Sequence, residues 1–165
     1  MIKKAVIPAA GFGTRFLPVT KSIPKEMLPV VDKPLIQYGV EEIISSGLSQ
    51  ILIIISRNKS SIEDYFDRNP ELEKILEEKN RKDLLEKVKE VANLAKISYI
   101  RQKEMLGLGH AVLLTKEFVG NEPFAVLLPD DIIDSKIPCI RSNTNHTLLD
   151  RPLLLHIVDH EENPL

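Results

Sequence analysis

A chain of 165 residues, 43% hydrophobic and 28% charged, is long enough for one domain with a real core and short for two; its composition is neither disordered nor collagen-like. Its 22 Lys and Arg against 24 Asp and Glu leave a formal net charge of -2, which argues against a protein that lives on nucleic acid but leaves room for a local basic site that takes one small anion. The single cysteine, Cys139, can form neither an internal disulfide nor a thiolate zinc cage.

The start, Met1 to Pro8, carries two lysines but too short an apolar run for a signal peptide. Lys4-Ala5-Val6-Ile7-Pro8 reads as a buried strand that opens into a glycine-containing loop. Pro34 to Gly47 reads as a helix, with Pro34 in the first turn, Ile36, Val40, Ile43 and Ile44 on one face, and Gly47 as its cap. Ile51 to Ile55 is the clearest strand, apolar on both faces as a central parallel strand is, and far shorter than a membrane span. Residues 71–91 mix charges of both signs with Leu72, Ile75, Leu76, Leu84, Leu85, Val88 and Val91 at helical spacing. They read as two solvated amphipathic helices, and as the place to look for a contact in a homo-oligomer. Ile97 to Ile100 and Phe124 to Leu128 are two more strands, with a helix over Gly109 to Val119 between them. Strands alternating with helices predict an α/β fold on a mainly parallel sheet, in a cytoplasmic protein without a membrane partner. The last sheet element is expected at Leu128.

Chemistry concentrates at three places. The first strand runs into Pro8-Ala9-Ala10-Gly11-Phe12-Gly13-Thr14-Arg15, where small residues let backbone N–H groups approach a phosphate. No Gly-Lys-Ser/Thr ending makes this a Walker A loop, and Phe16 stands where a dinucleotide fingerprint needs a third glycine. A structural turn would by itself account for Gly-x-Gly. Arg15, Lys21 and Lys25 follow, in a stretch braced by Pro18, Pro24 and Pro29, and fixed cations beside such a loop suit phosphoryl or nucleotidyl transfer. The third place is Leu127-Leu128-Pro129-Asp130-Asp131. Carboxylates at a strand tip sit where open α/β sheets keep ligands and favour Mg²⁺ over zinc, although a strand-end aspartate can instead cap the next helix.

Taken together, Pro8 to Pro18, Lys21, Pro24-Lys25-Glu26-Met27-Leu28-Pro29, Asp32 to Tyr38, Arg101-Gln102-Lys103, Leu106-Gly107-Leu108-Gly109-His110-Ala111 and Leu128 to Asp131 resemble the bacterial UTP–glucose-1-phosphate uridylyltransferases, over residues 2 to about 139. The resemblance implies a Rossmann-like sheet of the nucleotide-diphospho-sugar transferase type. It also implies the reaction of UTP with glucose 1-phosphate to give UDP-glucose and pyrophosphate, with Mg²⁺. It assigns Ala9, Ala10, Gly11, Gly13 and Thr14 to the nucleotide, and Arg15 to the β and γ phosphates. Lys25 would meet charge at the α-phosphorus and the leaving pyrophosphate. Glu26, Gln102 and Gly107 would read the uracil edge, and Asp130 would hold the metal with Asp131 beside it. His110 is expected to pack or hydrogen-bond locally rather than act as a base.

The members of that family are considerably longer. After about Ile140 the helix and strands they lead one to expect are missing, so the nucleotide part is read as 1–139, and 140–165 as an atypical tail of the kind a shifted frame or truncated gene produces. The fold is then incomplete at its C-terminal end, with apolar faces near Val126 and Ile53 thinly covered. The alternative function is a uridine-nucleotide-binding fragment that does not turn over.

Overall fold

The structure, a computed structural model, describes residues 2–130, 132, 137, 138 and 140, together with the backbone of 155–158. Asp131, Cys139 and the polar run around His146 lie outside these residues.

Five strands form one sheet in the order β5-β4-β1-β6-β7. β1 is Lys4–Pro8, β4 is Gln50–Ile55, β5 is Lys96–Arg101, β6 is Phe124–Leu127 and β7 is Leu155–Val158. The first four pair in parallel, with Val6 opposite Leu52 on one side and Val126 on the other. A separate two-stranded ribbon joins β2, Pro29–Val30, to β3, Lys33–Pro34.

Strand alternation sorts the core into two layers. Ala5, Ile7, Ile51, Ile53, Ile55, Ala125 and Leu127 face Ile36, Val40 and Ile43 of α1, Leu35–Ser45, and Ile62 and Phe66 of α2, Ser60–Phe66. Val6, Leu52, Ile54, Phe124 and Val126 face Ala111 of α5, Leu108–Leu113, and Val119 of α6, Lys116–Val119. Ile53 and Val126 are 0% and 2% exposed. The expectation that their faces would be thinly covered is therefore corrected: α1 and α2 cover one side together with Leu48, Val91, Leu94 and Ile140, and α5 and α6 pack on the other.

Three further departures have local causes. The single helix expected over Gly109 to Val119 is two, because the Thr115 hydroxyl donates to the Val112 carbonyl at 2.7 Å and its N–H bonds Val112 rather than continuing the ladder. The last strand is not at Leu128, since β7 runs antiparallel along β6 and pairs an edge that would otherwise lie open. Helix α2 has only seven residues, too few for periodicity to announce it, and it is held by the buried pair Ile62 and Phe66 one turn apart. Residues 71–91 do form two helices, α3, Pro70–Glu78, and α4, Lys82–Ala92. The Asn69 side chain caps α3 by accepting from Leu72 N–H at 3.0 Å, with Pro70 at the first position.

From β1 the chain steps outward through β4 to β5 and then returns to the other side of β1 as β6. The crevice between the carboxyl ends of β1 and β6 is thus the switch point where open α/β sheets bind their ligands. No helix among the described residues is long and apolar enough to cross a membrane.

Candidate active site

The loop after β1 leaves the sheet at once. Ala9 N–H donates to Ile54 O at 2.8 Å, which ends the ladder, while the Ser56 hydroxyl ties down Ala10 O at 2.8 Å. The N–H groups of Ala10, Gly11, Phe12 and Gly13 then donate to nothing among the described residues. Four successive free donors at the edge of a parallel sheet are available to an anion. Ala9 and Ala10 are buried, so only their backbone can serve, whereas Gly11 and Thr14 are exposed.

Gly13 is where the loop turns back. Its φ of +66° is left-handed, its carbonyl accepts from the Thr20 hydroxyl at 2.8 Å, and a Cβ placed there would lie 3.1 Å from both Lys25 Cβ and Thr20 Cγ2. A side chain would both strain the backbone and push Lys25 away. Lys25 sits in a single 3₁₀ turn, Lys25–Met27, and its Nζ lies 2.8 Å from Asp130 Oδ2 just past β6. Gly13, Lys25 and Asp130 therefore meet across the switch point, as their separate places in the sequence suggest.

Arg15 and Lys21 lie in two neighbouring 3₁₀ turns, Thr14–Phe16 and Val19–Lys21. Both are exposed and make no ion pair among the described residues. Arg15 is thus on the loop, with its guanidinium uncommitted rather than packed against Lys25.

Glu26 turns the other way. Its side chain is fully enclosed, and Oε2 meets Lys59 Nζ at 2.5 Å, while Oε1 has no partner among the described residues. Burial raises the Glu26 pKa above the ordinary carboxylate value, more than Lys59 beside it lowers it. In this arrangement the Glu26 carboxylate, expected to read uracil, is enclosed with Lys59 and 1% exposed. Its visible effect is to pin the Lys25 turn to the β4–α2 connection. Lys59, the buried partner of Glu26, is the residue near the loop that sequence reasoning missed. It stands in a polar loop 33 positions away, and only a requirement that a buried carboxylate have a counter-charge points to it.

Gln102 follows β5 and its N–H continues the ladder to Ile55 O at 2.8 Å. Its side chain is 3% exposed, and Nε2 contacts Gly107 O at 3.2 Å and His110 Nδ1 at 2.9 Å. Gly107 has φ +89° and caps α5. The local role expected for His110 is what the structure shows.

For a metal, the described residues supply one carboxylate at the crevice, Asp130; none of them form a cluster of three or more acidic, His or Cys side chains. A lone hard carboxylate beside a phosphate cradle fits a hydrated divalent cation that takes its remaining ligands from a nucleotide. It does not fit a zinc cage.

Fold and crevice together define an α/β protein with free backbone donors, Lys25 and Asp130 gathered at the carboxyl edge of its sheet. Over residues 4–146 the chain matches the nucleotidyl transferase family and belongs to it. It is 59% identical over 140 residues to the UTP–glucose-1-phosphate uridylyltransferase of Bacillus subtilis, covering 85% of this chain and 48% of that one. It is 58% identical over 144 residues to uridylyltransferase 1 of Staphylococcus saprophyticus, covering 87% and 50%. Among solved structures it matches UTP-bound UGPase from Acinetobacter baumannii with a TM-score of 0.79 and 52% identity, over 82% of this chain and 48% of that one. It also matches a UDP-glucose pyrophosphorylase complexed with UDP-glucose with a TM-score of 0.73 and 49% identity, over 88% and 52%. The chain spans about half the length of these relatives. The resemblance to the uridylyltransferases read from the sequence is confirmed, as is the mainly parallel sheet flanked by helices.

Proposed function

We propose that this chain builds the uridine-nucleotide part of a site for UTP–glucose-1-phosphate uridylyl transfer. In that reaction an oxygen of the sugar phosphate attacks the α-phosphorus of UTP, the bond to the β-phosphate breaks, and UDP-glucose and pyrophosphate result. The observation that carries the reading is the 2.8 Å Lys25–Asp130 pair lying against Gly13 at the switch point. There a cation, a metal-binding carboxylate and free backbone donors address one triphosphate.

The roles divide by chemistry. The free N–H groups of Ala10 to Gly13 take phosphate oxygens, and Arg15, uncommitted on the loop, closes over the β and γ phosphates with its bidentate fork. Lys25, a point charge beside the α-phosphorus, meets negative charge as it gathers during transfer. Asp130 would hold Mg²⁺, which when bound neutralises phosphate charge. Gly107 N–H and Gln102 face the base, and Glu26 supports the turn from beneath through Lys59. The reading is of a cytoplasmic reaction, in keeping with nucleotide and sugar-phosphate substrates.

Thermal melting with UTP and Mg²⁺ tests the reading. At a hundredfold excess over the dissociation constant, mass action stabilises the chain by about 2.7 kcal/mol. An unmoved melting curve contradicts the reading. Pyrophosphate release on adding glucose 1-phosphate then separates turnover from the alternative, a fragment that binds without reacting.

A further inference from the structure

We infer that His110 is the specificity-positioning residue of the base site: its Nδ1 lone pair holds the Gln102 amide so that Oε1, an acceptor, is what the nucleobase meets. This rests on the reading that Gln102 faces the base.

The orientation of the amide follows from its neighbours. Gly107 O can only accept, so the group 3.2 Å from it must be the NH₂. The second proton of that NH₂ then points to His110 Nδ1 at 2.9 Å, which must therefore be unprotonated, with the ring proton on Nε2. Both donors of Gln102 are thereby used. Oε1 accepts no hydrogen bond among the described residues. Unlike Glu26 Oε1, it is not one of the sealed, unpartnered atoms. A side chain 97% buried is thus left with one usable function, a single acceptor of fixed direction, since Gln102 is only 3% exposed.

That acceptor chooses between pyrimidines. Uracil presents N3–H, a donor, whereas cytosine presents a bare N3 that would face Oε1 lone pair to lone pair. A site that bonds a substrate N–H rejects the analogue lacking it far more strongly than an apolar pocket could. Glu26 cannot supply this discrimination while it is enclosed with Lys59. His110 therefore matters through the amide it holds. Without it, rotation of the Gln102 amide costs one bond to Gly107 and presents NH₂, which suits cytosine N3.

Calorimetric titration of UTP and CTP into the full chain, its His110→Leu variant and its His110→Asn variant tests the inference. Leucine keeps bulk and removes the acceptor; asparagine Oδ1 stands where Nδ1 stood and restores it. The preference for UTP over CTP should fall about tenfold or more in His110→Leu and return in His110→Asn. Nitrogen-15 NMR of the free chain should show the His110 ring protonated on Nε2. An unchanged preference in His110→Leu, an equal loss in His110→Asn, or a ring protonated on Nδ1 overturns the inference. Equal binding of UTP and CTP by the unaltered chain overturns it while leaving nucleotide binding intact. Binding of neither overturns the proposed function and this inference with it.

Discussion

Replacing Lys59 by methionine removes the counter-charge of Glu26 while keeping most of the side chain's length. The Glu26 side chain is 0% exposed and its partner 7%, so water cannot take over the lost ammonium, and breaking such a pair costs about 3–5 kcal/mol. The carboxyl has one escape, which is to bind a proton. For a glutamate whose ordinary value is 4.5, staying protonated at pH 7 costs about 3.4 kcal/mol, falling by about 1.4 kcal/mol for each pH unit of acidification. That figure caps the electrostatic part of the loss. The sign follows from the direction of the shift. Burial already holds the folded-state pKa of Glu26 above its unfolded value, so its contribution to stability is fullest below 4.5 and is lost as pH rises through the folded value. Removing Lys59, which lowers that value, raises it further and extends the loss to higher pH. Urea unfolding of Lys59→Met and the unaltered chain between pH 5 and pH 8 should give two stabilities that converge in acid and diverge toward alkali. A deficit independent of pH would show that Lys59 acts by packing alone and refute the reasoning.

Gly13→Ala should destabilise the chain by about 1–2 kcal/mol from its left-handed φ and weaken UTP binding by displacing Lys25, whereas Gly11→Ala, whose Cβ meets nothing within 4 Å, should be close to neutral in urea melts. Asp130→Asn should change stability by less than ~1 kcal/mol, because the Lys25–Asp130 side chains are 18% and 30% exposed. In a titration with and without Mg²⁺, however, it should abolish the cation-dependent part of UTP affinity. Tyr99→Phe removes a buried hydroxyl that has no partner among the described residues. It should raise stability by about 1 kcal/mol, and a loss of that size would reveal a partner for the hydroxyl.

What the sequence made legible was what local patterning controls. The β-branched run at Ile51 to Ile55 and the small residues after Pro8 carry their structure in their own chemistry, and the strand alternation around them placed Gly13 and Asp130 at one sheet edge. Where a local rule competed with a side chain the reading slipped: the hydroxyl of Thr115 broke the helix that the apolar spacing of Ala111, Val112 and Phe118 supported. Long-range pairing was also invisible. Nothing in Leu155–Val158 announces β6 as its partner, and nothing in Lys59 announces Glu26. Glu26 shows the limit most clearly, since a motif fixes which residue stands beside Lys25 but not which way its side chain turns. Consecutive positions of one short turn send Lys25 to Asp130 and Glu26 to the interior. The His110–Gln102 bond depends in turn on where Gly107 bends the chain, with φ +89°.

The convergence of the glycine bend, Lys25 and Asp130 on one triphosphate is tested most directly by calorimetry of UTP in the presence of Mg²⁺, comparing the unaltered chain with Lys25→Ala. The account predicts saturable one-to-one binding that loses about tenfold or more in affinity when the ammonium is removed. The same affinity in both proteins would contradict it.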